Sequence, residues 1–414
     1  MARDYLISGL DIGSSNIRLV VAKKAKTSSK PEILSTAFLP SFGIRKGVIT
    51  DIQEVTDVIK KVLEEGERTC GRPIEHAYVS VGGSHIATTR SCGVAAISRA
   101  DGEISEEDIG RVIKQAEAIS LPRNREVIHV IPREFIIDGE RGIKDPLGMH
   151  GIRLEVETLI IHGSTPFLKN FYKCLEVLGL LDLNKMVLSP LSSSRAVLSK
   201  RQKELGVLML DIGGGTTGMA VFEEGDLLHT AILPLGSSHI TNDIAIGLRI
   251  PIDIAERIKT EFGSAISSEI SKMEKVEFAK MGLEEAGEFS RKEVSAMIEA
   301  RLYEIFDLVN KELIKIGKAG LLPAGVVITG AGAKLPFLVD LAKKVLKLPA
   351  QIGFPRESEF GGLVDRIEDP SFSSAAGLVL WGKDDLEGEE GAKISLSGSG
   401  FGTKIKKIFK TFFP

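Results

Sequence analysis

Two short segments carry the residue types that hold phosphorylated ligands: Asp11-Ile-Gly-Ser-Ser-Asn16 and Asp211-Ile-Gly-Gly-Gly-Thr-Thr217. Turns of Gly, Ser and Thr expose consecutive backbone N–H groups, which suit phosphate oxygens. An aspartate at the mouth of such a turn can hold Mg2+ through its water shell. One Asp-x-Gly turn is commonly just a hairpin. Two of them, in similar halves, imply a nucleotide clamped between two related lobes.

Each loop must be positioned by strands. Apolar runs flank both: Leu6 to Leu10 and Ile17 to Ala22 around the first, Val207 to Leu210 and Met219 to Phe222 around the second. The pattern predicts strand, tight turn, strand, given twice. Ile52, Val55, Ile59, Val62 and Leu63 follow helical spacing, and His76 to Val81 reads as a strand ending at Gly82-Gly83. Between Ser84 and His162 the pattern changes to a small α+β unit. There Ser105-Glu-Glu-Asp108 resembles a capping box, and strand-like stretches fall at Val127 to Ile131, Glu134 to Ile137 and Arg153 to Ile161. In the second half Asp253 is placed to cap a helix stopping at Gly263, and Ser290-Arg-Lys-Glu293 opens a long helix through Val309. Gly325 to Gly332 returns to strand and turn. The predicted layout is 1–83 first-lobe core, 84–163 insert, 164–240 second-lobe core, 241–324 helical subdomain, 325–382 return segment, 383–400 linker and 401–414 tail.

Composition bounds the function. The chain has 414 residues, 43% hydrophobic and 26% charged, with a net charge of −3, so no nucleic-acid partner is expected. Cys70, Cys92 and Cys174, and the seven histidines, lack metal-ligand spacing. Without a long apolar run or a signal-peptide pattern, the body is expected to be soluble and cytosolic. No Gly-x-x-x-x-Gly-Lys-Ser/Thr loop is present, which argues against a P-loop NTPase.

The tail has its own chemistry. Phe401, Ile405, Ile408, Phe409 and Phe412 share one helical face, flanked or opposed by Lys404, Lys406, Lys407 and Lys410. Such a helix is too short to span a bilayer but can lie in its interface. Each lysine near anionic lipid adds about 1 kcal/mol. The acidic stretch Asp384 to Glu390 and the Ser/Gly stretch Ser395 to Gly400 before it read as a flexible linker.

The two Asp-Ile-Gly loops resemble the phosphate loops of the actin and heat-shock chaperone ATPase superfamily. Longer stretches resemble the FtsA family of bacterial cell-division proteins: Lys46-Gly-Val-Ile, Ala77 to Ile86, His129-Val-Ile-Pro-Arg-Glu-Phe, Gly142 to Leu154, Ile240-Thr-Asn-Asp-Ile-Ala245 and Ala255-Glu-Arg-Ile-Lys259. The resemblance spans essentially the whole chain, tail included. It implies an α/β, actin-like two-lobed ATPase fold with an FtsA-type α+β inserted subdomain and a C-terminal amphipathic helix. It implies ATP with Mg2+ in the cleft, with Asp11 and Asp211 near the metal. Gly13, Ser14, Ser15 and Asn16, with Gly213, Gly214, Gly215, Thr216 and Thr217, would cradle phosphates. Glu256 and Lys259 would reach the ribose and adenine, while Gly330, Ala331 and Gly332 would let backbone approach the adenosine.

The same resemblance implies a self-assembling protein at the cytoplasmic face of the membrane, at the division site. Its partners would be the C-terminal peptide of the tubulin-like FtsZ, anionic membrane lipid, other copies of itself and downstream divisome proteins, with Arg301 as the candidate peptide anchor. Departures bear on catalysis. Ser189-Pro190 stands where related ATPases often carry Glu-Pro, Gly218 replaces a common aspartate, and Ala331 replaces a frequent glycine. A serine hydroxyl is a poor general base at neutral pH, so hydrolysis is expected to be slow or absent. The alternatives are a PilM-like pilus adaptor, for which a linker and amphipathic tail are not expected, and a sugar-kinase-type ATPase, which needs a carboxylate base.

Overall fold

The computed structural model describes residues 4–25, 28–119, 121–278 and 287–394. Its two largest sheets repeat one plan. In the first, Tyr5–Ile12, Asn16–Lys24 and Glu32–Pro40 form an antiparallel meander, and Tyr78–Val81 and Met186–Leu188 add in parallel beside Tyr5–Ile12. In the second, Val207–Ile212, Thr217–Glu223 and Asp226–Leu233 form the meander, and Val326–Thr329 and Ala350–Ile352 add in parallel. The irregularities coincide too. A bulge falls between Val21 and Ala22 in one meander and between Val221 and Phe222 in the other. Both loops are therefore strand-to-strand turns, with Asp11 and Asp211 one residue from the end of their strands.

Burial on both faces explains the unbroken apolar runs. Along the second sheet, Leu208, Leu210, Ile212, Met219 and Val221 face one core, while Val207, Met209, Ala220 and Phe222 face the other. Two helices separate the sheets. Ser189–Val197 packs on the second sheet, Ser373–Ile394 packs on the first, and the two pack on each other. They approach so closely that a Cβ on Gly377 would lie 1.8 Å from the Ser192 carbonyl oxygen. A larger residue there would force the lobes apart.

The helix Ser373–Ile394 corrects one expectation. Residues 383–394, expected to begin a linker, continue this helix. Glu, Leu, Lys and Ala are good helix formers, and the first two acidic residues, Asp384 and Asp385, are anchored. Asp384 accepts two hydrogen bonds from Arg195, at 2.8 and 3.1 Å, and the Tyr78 hydroxyl donates to Asp385 at 2.9 Å. The tail, Phe401, Lys404, Ile405, Lys407, Ile408, Phe409 and Phe412 included, lies outside the described residues.

Between the strands Tyr78–Val81 and Met186–Leu188 the chain builds a second unit, a four-stranded sheet ordered Ala87–Ala96, Arg153–Ser164, Arg125–Ile137, Glu140–Ile143. The helix Glu106–Glu117 lies on it, and its Ser105–Asp108 capping box is formed. Ile109, Val112, Ala116, Phe135 and Val156 give this unit its own core. The two strands expected over 127–137 are one, with a register shift beside Pro132, which has no N–H to donate. Beyond the second sheet lie the helices Ser237–Leu248, Ile252–Phe262 and Arg291–Lys315. Ser290 caps the last of these, whereas Asp253 sits in the first turn of its helix rather than at the cap, which is Pro251. Among the described residues no helix is long and apolar enough to cross a membrane.

Candidate functional site

The two loops face each other across the cleft between the sheets, and each is closed the same way. The Gly13 N–H donates to the Asn16 carbonyl at 3.1 Å, and the Gly213 N–H donates to the Thr216 carbonyl at 3.0 Å. The loops nearly touch: a Cβ on Gly214 would lie 1.9 Å from Ser15 Oγ, so only glycine fits. An inner cavity of about 90 Å³ is lined by Asp11, Ser14, Arg18, Asp211, Gly215 and Gly330, among others. An outer cavity of about 570 Å³ is lined by Thr241, Asp253, Glu256, Lys259, Gly332 and Lys334, among others. Ser14, Ser15, Asn16 and Ala331 line both, so the two form one cleft with a narrow polar end and a wide end.

The carboxylates in the inner lining are Asp11 and Asp211. Hydroxyls from remote segments hold them. Ser80 Oγ donates to Asp11 Oδ1 at 2.6 Å and Ser374 Oγ at 2.9 Å, while Ser193 Oγ donates to Asp211 Oδ2 at 2.6 Å. No hydrogen bond from the described residues reaches the second oxygen of either acid. Burial pushes the Asp211 carboxyl up to about 6, with Asp11 adding to the rise and Ser193 and Arg18 opposing it. Two acids with spare oxygens, one of them ionised only against its burial, fit a hydrated divalent cation.

Sequence reasoning missed Arg18. It stands opposite Asp11 in the strand register, where the second lobe has Gly218 opposite Asp211. Burial lowers the guanidinium pKa against the opposing charges of Asp11, Asp369 and Asp211. Its Nε is buried with no hydrogen-bond partner, although the residue lines the inner cavity. An unpaired buried donor among glycine-loop N–H groups suits an anion. One signal was available in the chain: a single charge inside the apolar run Ile17 to Ala22. Ser80, Ser193 and Ser374 gave none, because their partners are distant in sequence.

At the wide end Glu256 and Lys259 meet. The Lys259 ammonium donates to Glu256 Oε2 at 2.6 Å and to Thr241 Oγ1 at 3.0 Å, and the lysine is buried. Burial lowers its pKa and Glu256 opposes that. A buried lysine held against a half-exposed Glu256 differs from a solvated i,i+3 contact. Gly330 has φ +87, and a Cβ on it would lie 2.2 Å from Asp211 Oδ1, so the Gly330–Gly332 turn meets the acid directly. Thr216 lines the inner cavity, but Thr217 does not. Thr217 is fully buried, and its hydroxyl donates to the Leu235 carbonyl at 2.8 Å, so its side chain braces the loop instead of cradling a ligand. Ser189 does line the inner cavity, and Gly218 lies under Pro190, whose Cγ would be 2.8 Å from a Cβ there. An aspartate at 218 would collide with that ring.

Arg301 stands apart from the cleft, on the helix Arg291–Lys315. Its guanidinium makes a bidentate pair with Asp243, at 2.7 and 2.9 Å, and also donates to Glu304. It is a brace between two helices and not a free cation.

A family model for the cell division protein FtsA matches residues 208–377, and one for the SHS2 domain inserted in FtsA matches residues 83–162. The cell division protein FtsA of Borreliella burgdorferi is 40% identical over 94% of this chain and 94% of its own. That of Pseudomonas aeruginosa is 34% identical over 97% of this chain and 94% of its own. The chain belongs to the FtsA family of cell-division proteins. Solved structures with the same fold include the PilM–PilN type IV pilus biogenesis complex, with TM-score 0.65, 18% identity, and coverage of 91% of this chain and 98% of that one. An MreB of Spiroplasma citri bound to AMPPNP gives TM-score 0.56 at 14% identity, covering 95% of this chain and 99% of that one. At these identities the likeness is one of fold, and it makes this FtsA-family chain actin-like. Whole-length identity to cell-division relatives disfavours the pilus and sugar-kinase alternatives.

Proposed function

We propose that this FtsA-family protein is a nucleotide-bound, self-assembling adaptor that tethers FtsZ filaments to the cytoplasmic face of the membrane and helps recruit later division proteins. The observation that carries the nucleotide part is the duplicated loop: two identically closed glycine turns, each with an aspartate, facing across one cleft. In this reading Asp11 and Asp211 hold Mg2+ through its water. The N–H groups of Ser14 to Asn16 and Gly214 to Thr216, in loops closed by the Gly13 and Gly213 N–H groups, hold the ATP phosphates together with Arg18. Glu256 and Lys259 contact the nucleoside beside the Gly330-Ala331-Gly332 turn. Bound Mg2+ would supply charge neutralisation for the phosphates.

Hydrolysis is slow in this account. The inner lining offers no carboxylate besides the pair that the cation would occupy, and Ser189 supplies only a hydroxyl. The nucleotide then serves to hold the lobes in a polymerising shape. Family membership supports FtsZ as partner, and the lysine-flanked apolar face of 401–414 supports anionic lipid.

Co-sedimentation tests the whole reading. FtsZ mixed with the full-length protein and anionic liposomes should pellet with the vesicles. A chain truncated after Gly400 should leave FtsZ in the supernatant. FtsZ recruitment that survives the truncation, or that never occurs, defeats the tether.

A further inference from the structure

A short hairpin, Ile44–Arg45 paired with Val48–Ile49, places its tip between the phosphate loops and the start of the insert. On one side, the Gly47 N–H donates to Ser14 Oγ at 2.9 Å. A Cβ on Gly215, in the other loop, would lie 3.1 Å from the Lys46 nitrogen. On the other side, the Lys46 carbonyl accepts from the Ser84 N–H at 3.1 Å. Backbone meets backbone there: a Cβ on Gly47 would lie 2.5 Å from Gly83 Cα, and one on Gly83 would lie 2.7 Å from the Gly47 carbonyl oxygen. Gly47 and Gly83 have φ +72 and +126, and Lys46, with a side chain, is held at φ +50. A strained tip packed this tightly cannot move without moving its neighbours.

Past Gly83 the insert is tied into one body. The Ser164 N–H, where the chain leaves the insert, donates to His85 Nδ1 at 3.2 Å. Arg125 donates to the His85 and His162 carbonyls at 2.8 and 3.1 Å. Its far side rests on the second lobe, where Lys144 pairs with Asp226 at 3.2 Å. The chemistry at Ser14 is directional. Its oxygen accepts from Gly47, so its own proton remains for a phosphate oxygen, and each bond of such a chain strengthens the other.

We propose that the Lys46-Gly47 tip relays the phosphate state of the bound nucleotide to the orientation of the insert, through Ser14 on one side and Gly83-Ser84 on the other. The relay rests on the nucleotide reading above. Losing the terminal phosphate removes the acceptor that orients the Ser14 hydroxyl, which loosens the tip and frees the insert to turn about Gly83.

The test uses the full-length chain with spin labels on Cys92, exposed on the insert, and Cys70, at the end of the helix Ile52–Cys70; Cys174 is buried. Distances are measured with saturating Mg-AMPPNP and with saturating Mg-ADP, and occupancy is measured separately with a fluorescent ATP analogue. The wild type should show different distance distributions in the two states. Ser14→Ala, filled at higher nucleotide concentration, should show one distribution in both states, and Ser14→Thr, which keeps the hydroxyl, should restore the difference. Gly47→Ala should also abolish it. An occupied wild type with identical distributions overturns the relay, as does an occupied Ser14→Ala that shifts like the wild type. A wild type that binds no nucleotide overturns the nucleotide reading and the relay together.

Discussion

Replacing Asp211 by Asn separates what the acid costs the fold from what it does for a ligand. The carboxyl ionises near 6 in the folded chain, against an ordinary value of 3.8, and burial is the main cause. Because the folded value lies above the unfolded one, the folded state holds the proton more firmly between about pH 4 and pH 6. Stability is therefore lost as pH rises through that window and stays lost above it. The rise corresponds to about 3 kcal/mol at 1.36 kcal/mol per pH unit, an upper figure for a group that faces a cleft. Asn keeps an acceptor for the Ser193 hydroxyl, has nearly the same volume and carries no charge. The variant without nucleotide should therefore be more stable than wild type above pH 6, with the gain shrinking towards pH 4. Mg-ATP should reverse the order, stabilising only the wild type. Urea unfolding followed through Trp381, the single tryptophan, which lies on the interlobe helix Ser373–Ile394, measures both effects. A variant less stable than wild type in EDTA at pH 7.5, or a difference that ignores pH, would refute the assignment of Asp211.

Other substitutions probe other parts of the account. Ile408→Asp puts a charge on the apolar face of the tail; losing one buried isoleucine at roughly 1.5–3 kcal/mol should cut liposome co-sedimentation about tenfold or more, and unchanged binding would reject the tail as anchor. Arg301→Ala breaks a half-buried ion pair, which should cost about 1 kcal/mol of stability and weaken binding of the FtsZ C-terminal peptide in a fluorescence titration. Asp243→Asn frees the guanidinium and should strengthen that binding; a peptide affinity unmoved by both changes removes Arg301 from the interface. Phosphate release from bound ATP should be slower than exchange of the nucleotide, whereas rapid multiple turnover would show that some other group replaces the missing base at Ser189.

The backbone plan was legible because it repeats. Two apolar–turn–apolar patterns mark the meanders, and Ser105 and Ser290 mark their helices through local hydrogen bonds spanning three residues. What escaped depends on long-range partners. Arg18 looked like a stray charge in a strand until the fold set it among three aspartates, and Ser374 became an Asp11 ligand only when the last described helix crossed the first strand. Residues 383–394 are acidic and Gly-containing, which looks like a linker, yet Arg195 and Tyr78 supply partners that make them helix. Thr217 follows Thr216 in a loop, but period-two alternation turns it into the core. Arg301 is a candidate peptide anchor from sequence because nothing near it in the chain shows that Asp243 faces it.

The central claim is that the paired aspartate loops form one Mg-nucleotide clamp. Isothermal titration of ATP into the nucleotide-free, full-length protein tests it most directly, first with Mg2+ and then with EDTA. The account predicts one ATP bound per chain with Mg2+, and binding weakened by EDTA and by Asp11→Ala. Absence of ATP binding in the presence of Mg2+, or binding indifferent to both Mg2+ and Asp11, would contradict it.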